Sequence, residues 1–256
     1  MTRYDDGSAG DANYGVIGRD YTTFRQPDPR IAAYIHAPLV TAKRVLNVGA
    51  GTGSYEPLDR DVTAVEPSAS MRAQRPLHLT RAIDAVAAAL PFAADSFDAG
   101  MTLFSAHQWP DLGAGLREMR RVTRGPIVIL TGDPDAVDRF WLNDYAPEVI
   151  AAEARRYPPV SAFATALVHV ETTQVPIPFD CTDRINEAYY GHPEMLLDKR
   201  ARSVCSAWSF VDTSVVERFE HHLKRDLESG EWDRKYGALR TQPSFLGSLL
   251  LIVSRP

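Results

Sequence analysis

The sequence is poor in the features that mark disulfide scaffolds and membrane spans. It has two cysteines, Cys181 and Cys205, which are far apart and belong to no C-x-x-C pair, so reduced thiols are expected. Residues 1–13 are polar and acidic and lack the apolar core of a signal peptide, and the apolar run at 246–253 is too short to span a bilayer. We therefore expect a cytoplasmic protein without a membrane partner.

Basic charge is also scarce, since the formal net charge is −5. Binding to nucleic acid through counterion release needs a basic face, so nucleic acid is not an expected partner. No histidines, cysteines or carboxylates show metal-ligand spacing such as H-E-x-x-H, so no metal site is predicted. With 256 residues, 45% of them hydrophobic, the chain can form one α/β domain with an appended cap.

The strongest pattern present is an apolar strand that runs into alternating glycines. Residues 45–48 precede Gly49, Gly51 and Gly53, and a second apolar segment ends in Glu66. Glycine permits positive φ and lets a ligand lie against the main chain, while a carboxylate at the next strand end can accept hydrogen bonds from both ribose hydroxyls. The pattern predicts a site for an adenosine-type ligand.

The details of this loop favour one class of adenosine ligand. A dinucleotide motif needs a third small residue where Ser54 stands, and a long helix that aims at a pyrophosphate. Only residues 49–61 separate the two strands, and Pro57 among them tends to break a helix. The G-x-G-x-G spacing instead suits a ligand with an amino-acid tail and a sulfonium, although an NAD-dependent oxidoreductase stays open as an alternative.

Three further motifs follow the glycine loop in order. They are LPFAADSFD at 90–98, HQWPD at 107–111 and LREMRRV at 116–122. With the loop, they resemble the motifs of class I S-adenosylmethionine (SAM) dependent methyltransferases, of the small-molecule type related to ubiquinone and menaquinone C-methyltransferases (methyltransferase type 11 domain). The resemblance implies SAM as cofactor and S-adenosylhomocysteine (SAH) as product.

The order of the predicted elements indicates an α/β fold. Strands are predicted near 44–48, 62–66, 81–84, 99–104 and 126–131, and their alternation with helices predicts a parallel sheet covered on both faces. Further strands are predicted at 168–175 and 247–254, with helices over 136–156 and 214–228, the latter capped by Ser214 and Glu217. The resemblance implies a Rossmann-like, doubly wound, seven-stranded and mostly parallel sheet with one antiparallel C-terminal strand.

These elements divide the chain into four predicted parts. Residues 1–41 form an N-terminal helical lid, 42–175 the SAM-binding core, 176–243 a substrate-binding cap insertion and 244–256 the final core strand. Sixty-eight residues between two sheet strands are too many for a simple hairpin, which is why a cap is predicted there.

The cofactor-binding residues are predicted partly from the loop and partly from the resemblance. Arg25 is the predicted partner of the SAM carboxylate, although a solvent-exposed arginine is an equal alternative, and Met71 is either an adenine contact or a core residue. Asp84 is the carboxylate nearest to the adenine position, and main-chain groups at Val86 and Ala87 are the alternative. The full predicted set is Tyr14, Tyr21, Arg25, Gly49, Ala50, Gly51, Gly53, Glu66, Pro67, Ser68, Met71, Asp84, Val86, Ala87 and Phe104.

Three residues are predicted to act in catalysis. His107 follows the fourth strand and is a candidate general base or orienting group, or else packs beside Trp109. Asp133 ends the fifth strand and is a candidate catalytic group or a helix cap, and Tyr190 in the cap is a candidate substrate contact or a packed aromatic.

The predicted reaction is SAM-dependent methyl transfer to an oxygen, nitrogen or carbon nucleophile of a small molecule by in-line displacement. A SAM-binding protein with a non-methylating reaction, such as a cyclisation, is the alternative, with the oxidoreductase less favoured.

Overall fold

The computed structural model describes residues 24–256. Its central sheet has six strands in the order β2-β1-β3-β4-β8-β5. In chain order the strands are β1 (Arg44–Val48), β2 (Asp61–Val65), β3 (Ala99–Leu103), β4 (Ile127–Gly132), β5 (Val170–Gln174), β6 (Ile177–Pro178), β7 (Ser244–Phe245) and β8 (Leu249–Ser254). The short strands β6 and β7 pair with each other outside the main sheet.

The sheet is mostly parallel, as expected. Strands β1 to β4 pair in parallel, whereas β8 lies antiparallel between β4 and β5. The register places Leu130 opposite Leu251 on β8 and Leu46 opposite Thr63 on β2. The expectation that the last strand inserts antiparallel to its neighbours is confirmed.

The expectation of seven strands is wrong. The predicted strand at 81–84 is reduced to an isolated bridge, in which Ile83 pairs with Val65 at the outer edge of β2. Ile83 makes two backbone hydrogen bonds there, to Ala64 and from Glu66. Its side chain is 40% exposed, so no buried face extends the ladder further along this segment.

Helices follow the strands and their starts are set by local capping. The α-helices are α1 (Pro29–His36), α2 (Ala69–Ala73), α3 (Leu112–Val122), α4 (Pro147–Arg156), α5 (Val160–Ala166), α6 (Lys199–Ser203), α7 (Thr213–Ser229) and α8 (Glu231–Tyr236). Short 3₁₀ helices cover Ala37–Leu39, Ala106–Gln108, Val137–Arg139, Trp141–Asp144, Asn186–Tyr189, Pro193–Leu197, Ser206–Phe210 and Gly237–Thr241. None of the helices in this part of the chain is long and apolar enough to cross a membrane.

Two predicted helices begin elsewhere than expected. The segment at 136–156 is not one helix, because two 3₁₀ turns come first and α4 starts at Pro147, which occupies its first turn without needing an N–H donor. Helix α7 begins at Thr213 and its N-cap residue is Asp212, whereas Ser214 is the predicted cap. The predicted capping box of Ser214 and Glu217 therefore does not form.

Hydrophobic layers cover both faces of the sheet. Along β4, Ile127 and Ile129 enter one layer and Val128 and Leu130 the other, because successive strand side chains point to opposite faces. An apolar stripe of α3 packs into the first of these layers, where Leu116, Met119 and Val122 are fully buried. The opposite layer holds α1 together with aromatic residues of the segment at 176–243.

This architecture brings several chain segments to one edge. Since β1, β2 and β3 are parallel, the residues that follow them lie together at the carboxyl edge of the sheet. Strand β2 lies on one side of β1 and β3 on the other, so the chain reverses its winding direction at β1. Such a switch point is where doubly wound sheets form a crevice for ligands.

Candidate active site

The glycine loop leaves β1 through a sharp turn that requires glycine. Gly49 has φ +68 and Gly51 has φ +53, in the left-handed region that disfavours other residues. A Cβ atom on Gly49 would lie 1.8 Å from the Ser105 hydroxyl oxygen, so space as well as backbone conformation demands glycine there. The N–H groups of Gly49 and Ala50 both donate to the Val65 carbonyl, which fastens the loop to β2.

Glu66 lies directly after β2 and closes the other side of the loop. Its side chain is buried, and its two oxygens accept hydrogen bonds from the Gly51 N–H and the Ser68 N–H, both at 2.8 Å. Burial raises the pKa of the Glu66 carboxyl, while these two N–H donors act in the opposite direction. A carboxylate offers about four acceptor positions, so Glu66 can fix the loop and still accept from a ligand.

A buried ion pair that the sequence did not predict stabilises the loop. The guanidinium of Arg75 lies 2.8 Å from Glu56, and both side chains are almost fully buried. Asn47 on β1 donates to the same carboxylate at 3.0 Å, and Arg75 also donates to the Gly51 carbonyl at 3.4 Å. The sequence feature that could have indicated this ion pair is the asparagine inside an apolar strand, because a buried polar group needs a hydrogen-bond partner.

The first cavity opens between the glycine loop, Glu66 and the turn after β3. Most of the predicted cofactor residues line it: Arg25, Gly49, Ala50, Gly51, Glu66, Pro67, Ser68, Met71, Val86, Ala87 and Phe104. The structure adds wall residues that were not predicted, among them Asn47, Tyr55, Gln108 and Trp109. Tyr55 and Phe104 both have positive φ, at 64 and 52, and strained backbone of this kind concentrates at functional sites.

Two predicted cofactor residues lie outside this wall. Gly53 lies beside Leu79 and Arg75, and its φ of +93 shows that the turn requires glycine there. Asp84 is exposed and forms an ion pair with Arg72 at 3.2 Å. Tyr14 and Tyr21 lie outside the described residues.

The HQWPD motif builds one wall of the first cavity. Trp109 donates from its indole N–H to the Ser105 hydroxyl at 3.1 Å and packs against Gly115 of α3, where a Cβ would lie 2.5 Å from its ring. Asp111 caps α3 by accepting from the Ala114 N–H at 2.8 Å. The motif therefore places an aromatic wall and starts the following helix.

Arg25 and Phe104 stand between the first cavity and a neighbouring one. The Arg25 guanidinium forms an ion pair with Asp183 of the predicted cap and lies 5.0 Å from the centroid of the Phe104 ring. Both residues, with Gln108, line both cavities. Arg25 is thus an ordered residue of the cavity wall and not a solvent-exposed arginine.

The second cavity lies at the carboxyl end of β4. Its walls include Thr131 and Gly132, the C-terminal part of α4 and residues of the predicted cap. His107 lines it and packs edge-on against Tyr157, with ring centroids 5.3 Å apart. The Tyr157 ring lies so close to Gly132 that a Cβ there would be 2.3 Å away.

Two carboxyl groups that are not among the predicted site residues, Glu153 and Glu187, line this second cavity. Glu153 of α4 accepts from the Asn186 side-chain amide at 2.8 Å, and Glu187 accepts from the Ser248 N–H at 2.8 Å and its hydroxyl at 3.0 Å. Burial raises the pKa of Glu153 to about 7 and that of Glu187 to about 8. Groups that exchange protons near neutral pH are common in active sites.

Comparison with known proteins finds a methyltransferase domain in this chain. Residues 46–126 match the family described as methyltransferase domain. A solved structure described as a methyltransferase from an antibiotic biosynthesis pathway of Anabaena variabilis ATCC 29413 is 29% identical, with a TM-score of 0.82 over 90% of this chain and 98% of that chain. The chain is a class I SAM-dependent methyltransferase. Its cofactor is SAM, and SAH is the product.

More distant structures share the fold of this methyltransferase. A SAM-dependent methyltransferase from Thermotoga maritima is 12% identical with a TM-score of 0.55, and covers 95% of this chain and 99% of that one. The [4+2]-cyclase SpnF is 14% identical with a TM-score of 0.51, and covers 88% of this chain and 80% of that one. No curated protein sequence matches the chain.

The remaining predicted catalytic residues of the methyltransferase line neither cavity. Asp133 accepts from the Asp135 N–H at 3.0 Å and so caps a local turn. Tyr190 is fully buried, donates to the Gln242 carbonyl at 2.7 Å and stacks on Phe245 at 5.3 Å. Their positions correspond to the structural alternatives for both residues, a cap and a packed aromatic. In the described part of the chain, no group of histidine, cysteine and carboxylate side chains could hold a metal ion.

Proposed function

We propose that the enzyme transfers a methyl group to an oxygen, nitrogen or carbon nucleophile of a small molecule. SAM would occupy the first cavity and the acceptor the second. The observation that carries this proposal is that the two cavities share Arg25, Phe104 and Gln108. Because these three residues line both cavities, an acceptor in one would lie close to the reactive end of a ligand in the other.

The walls of the first cavity fit the chemical parts of SAM. The spare acceptor positions of Glu66 suit the ribose hydroxyls, and the glycine loop exposes main chain to the amino-acid tail. Met71 and main-chain groups at Val86 and Ala87 lie on the same wall and suit the adenine. Arg25 lines the same cavity, and its positive charge suits the carboxylate of the tail.

Positioning is the main contribution expected from the protein. The sulfonium of SAM supplies a methyl group that is already activated for displacement. Alignment of two bound reactants can contribute ~7–11 kcal/mol, whereas a general base adds only ~10²–10⁴-fold. Two adjoining cavities fixed on rigid strand ends provide such alignment.

The predicted division into lid, core, cap and final strand is consistent with this arrangement. We take residues 176–243 as the substrate-binding cap, because Asn186, Glu187 and Cys205 supply much of the second cavity. Residues 42–175 supply the glycine loop and Glu66 of the first. Residues 1–41 would form the lid, to which Arg25 belongs.

Calorimetry and mass spectrometry test the proposal together. The protein should bind SAH tightly and NADH not at all, which separates it from an oxidoreductase. Incubation with SAM and an acceptor should then release SAH and add the mass of one CH₂ unit to the acceptor. A product of unchanged mass without SAH release would favour a cyclisation, a reaction class whose enzymes include one of similar fold.

A further inference from the structure

We infer that Glu153 is the proton acceptor of the second cavity, and that the methyl acceptor bound there attacks through an O–H or N–H group. This inference rests on the proposed function, because it concerns the acceptor of the same reaction. It adds a catalytic residue and narrows the nucleophile to one that must lose a proton. His107, the predicted base, lies in the same cavity and is the competing candidate.

A chain of hydrogen bonds fixes the orientation of Glu153. The Trp208 indole N–H donates to the Asn186 side-chain oxygen at 3.0 Å, and the Asn186 amide nitrogen donates to Glu153 Oε1 at 2.8 Å. An indole N–H can only donate, so the Asn186 amide has one acceptable orientation and must present its NH₂ group to Glu153. One hydrogen bond from Asn186 leaves the carboxylate able to accept further protons or donors from the cavity.

Glu187, the second carboxyl of this cavity, has a different role. Its two oxygens are both engaged by Ser248, one by the backbone N–H and one by the hydroxyl. A Cβ on Gly247 would lie 2.4 Å from Glu187 Oε1, so the carboxyl packs directly on the backbone that leads into β8. Glu187 therefore fixes the backbone before β8, which leaves Glu153 as the carboxyl that can act on a ligand.

The surroundings of Glu153 set its proton affinity near neutrality. Burial raises its pKa to about 7, against the opposing effects of the Asn186 hydrogen bond and the Arg156 charge. The titratable and charged groups around it are Arg156 and Tyr157 from α4 and its end, Glu187 and Cys205 from the cap, His107 from the turn after β3, and Arg25 from the N-terminal segment. A base of this pKa is effective at neutral pH.

The proposed step is balanced without a further reactant. The O–H or N–H bond of the acceptor breaks and its proton moves to Glu153. The electron pair left on oxygen or nitrogen forms the new bond to the methyl carbon, and the pair of the breaking C–S bond stays on sulfur. A carboxylate acceptor does not suit this cavity, because it has no proton to give and would lie beside Glu153, which must be ionised to act as the base.

Glu153→Gln is the decisive variant, because glutamine keeps the volume and can still accept from Asn186 but cannot take up a proton. Glu148→Gln is the matched control, since Glu148 lies exposed on the same helix and pairs with Arg218 away from both cavities. Both variants and the wild type are titrated with SAH by calorimetry. They are then assayed for SAH release with SAM and, separately, 4-methylphenol, benzylamine and benzoate.

We expect wild type and Glu148→Gln to methylate the phenol or the amine but not benzoate. Glu153→Gln should bind SAH as wild type does and turn over ~10²–10⁴-fold more slowly. The wild-type rate should rise with pH through about 7, and this rise should be absent in Glu153→Gln. Carbon-13 NMR of protein labelled at the glutamate carboxyls provides a readout independent of activity, namely a carboxyl signal that titrates near neutral pH and is missing in Glu153→Gln.

Several results would overturn the inference. Glu153→Gln could turn over at the wild-type rate, or the pH dependence of the rate could be lost in His107→Gln but kept in Glu153→Gln. Methylation of benzoate would also overturn it, as would a spectrum of Glu153→Gln that retains every titrating carboxyl signal of the wild type. Wild-type protein that binds SAH but methylates neither the phenol nor the amine would overturn the acceptor class. Failure of wild type to bind SAH would instead refute the proposed function, so the two failures are distinguishable.

Discussion

The phenol of Tyr55 donates a 2.8 Å hydrogen bond to Asp183, a residue 128 positions away. Tyr55 ends the glycine loop with a positive φ of 64, and Asp183 is buried and also pairs with Arg25. One carboxylate therefore joins the loop, the N-terminal segment and the predicted cap. Because Tyr55 and Arg25 both line the first cavity, this junction couples the shape of that cavity to the position of the cap.

Tyr55→Phe should destabilise the protein and weaken SAH binding. The change removes one of the donors to a buried carboxylate, which costs ~1–3 kcal/mol. Urea unfolding and calorimetry with SAH measure the two effects. Tyr145→Phe is the matched control, because Tyr145 makes a 3.0 Å hydrogen bond to Asp226 outside both cavities and its loss should lower stability without changing SAH affinity. Equal SAH affinity in wild type and Tyr55→Phe would contradict the coupling.

Gly49→Ala should abolish SAH binding. It should also lower the free energy of unfolding by more than an alanine at positive φ costs through backbone strain alone. The new methyl group would overlap Ser105, and the loop has to move to accommodate it. Gly230→Ala is the control, since Gly230 has a similar φ of +77 but no described atom within 4 Å of the added Cβ. Its cost should be about 1–2 kcal/mol, with SAH binding intact. If both variants lose a comparable free energy of unfolding, backbone strain alone, and not the contact with Ser105, explains why glycine is required at position 49.

Glu66→Ala should weaken SAM binding by ~1–3 kcal/mol, the scale of a lost buried hydrogen-bond partner. The variant also loses the acceptor of the Gly51 and Ser68 N–H groups, so its unfolding free energy should fall. Glu171→Ala, which removes an exposed carboxylate from β5, controls for the change of charge. Calorimetry measures the SAM affinity of each variant. An affinity of Glu66→Ala equal to that of wild type would show that Glu66 does not bind the cofactor.

The glycine loop and Glu66 could be predicted because their geometry is local. A strand, three glycines and a second strand that ends in a carboxylate specify the first cavity within about twenty residues of sequence. The second cavity could not be predicted in this way. Glu153 lies on a helix after β4 and Asn186 in the predicted cap, 33 positions further along the chain, and only the tertiary fold brings the two side chains together.

The errors in the predicted elements have similar physical origins. Residues 81–84 contain one apolar side chain suited to a strand, but they lie at the outer edge of the sheet, where two backbone hydrogen bonds are all that the segment gains. For Asp133 and Tyr190 the sequence leaves a structural and a functional role open. The structure shows their hydrogen bonds with Asp135 and Gln242, in a turn and in the packed interior, and no sequence pattern distinguishes such contacts from a ligand contact.

Glu187→Gln should make the stability of the protein less dependent on pH. Burial raises the pKa of Glu187 from 4.5 to about 8, so between these values the folded protein binds more protons than the unfolded chain. The free energy of unfolding of the wild type should therefore fall as the pH rises through this range, at up to about 1.4 kcal/mol per pH unit for one group.

Removal of the ionisable group should flatten this decline, which urea unfolding at a series of pH values measures. Glu153 acts in the same direction, since its pKa is raised to about 7, so part of the slope should persist in Glu187→Gln and be smaller still in the double variant. Glu171→Gln, on the exposed face of β5, should retain the wild-type slope. A Glu187→Gln slope equal to that of wild type would show that Glu187 is ionised in the folded protein, and that Ser248 compensates its burial in full.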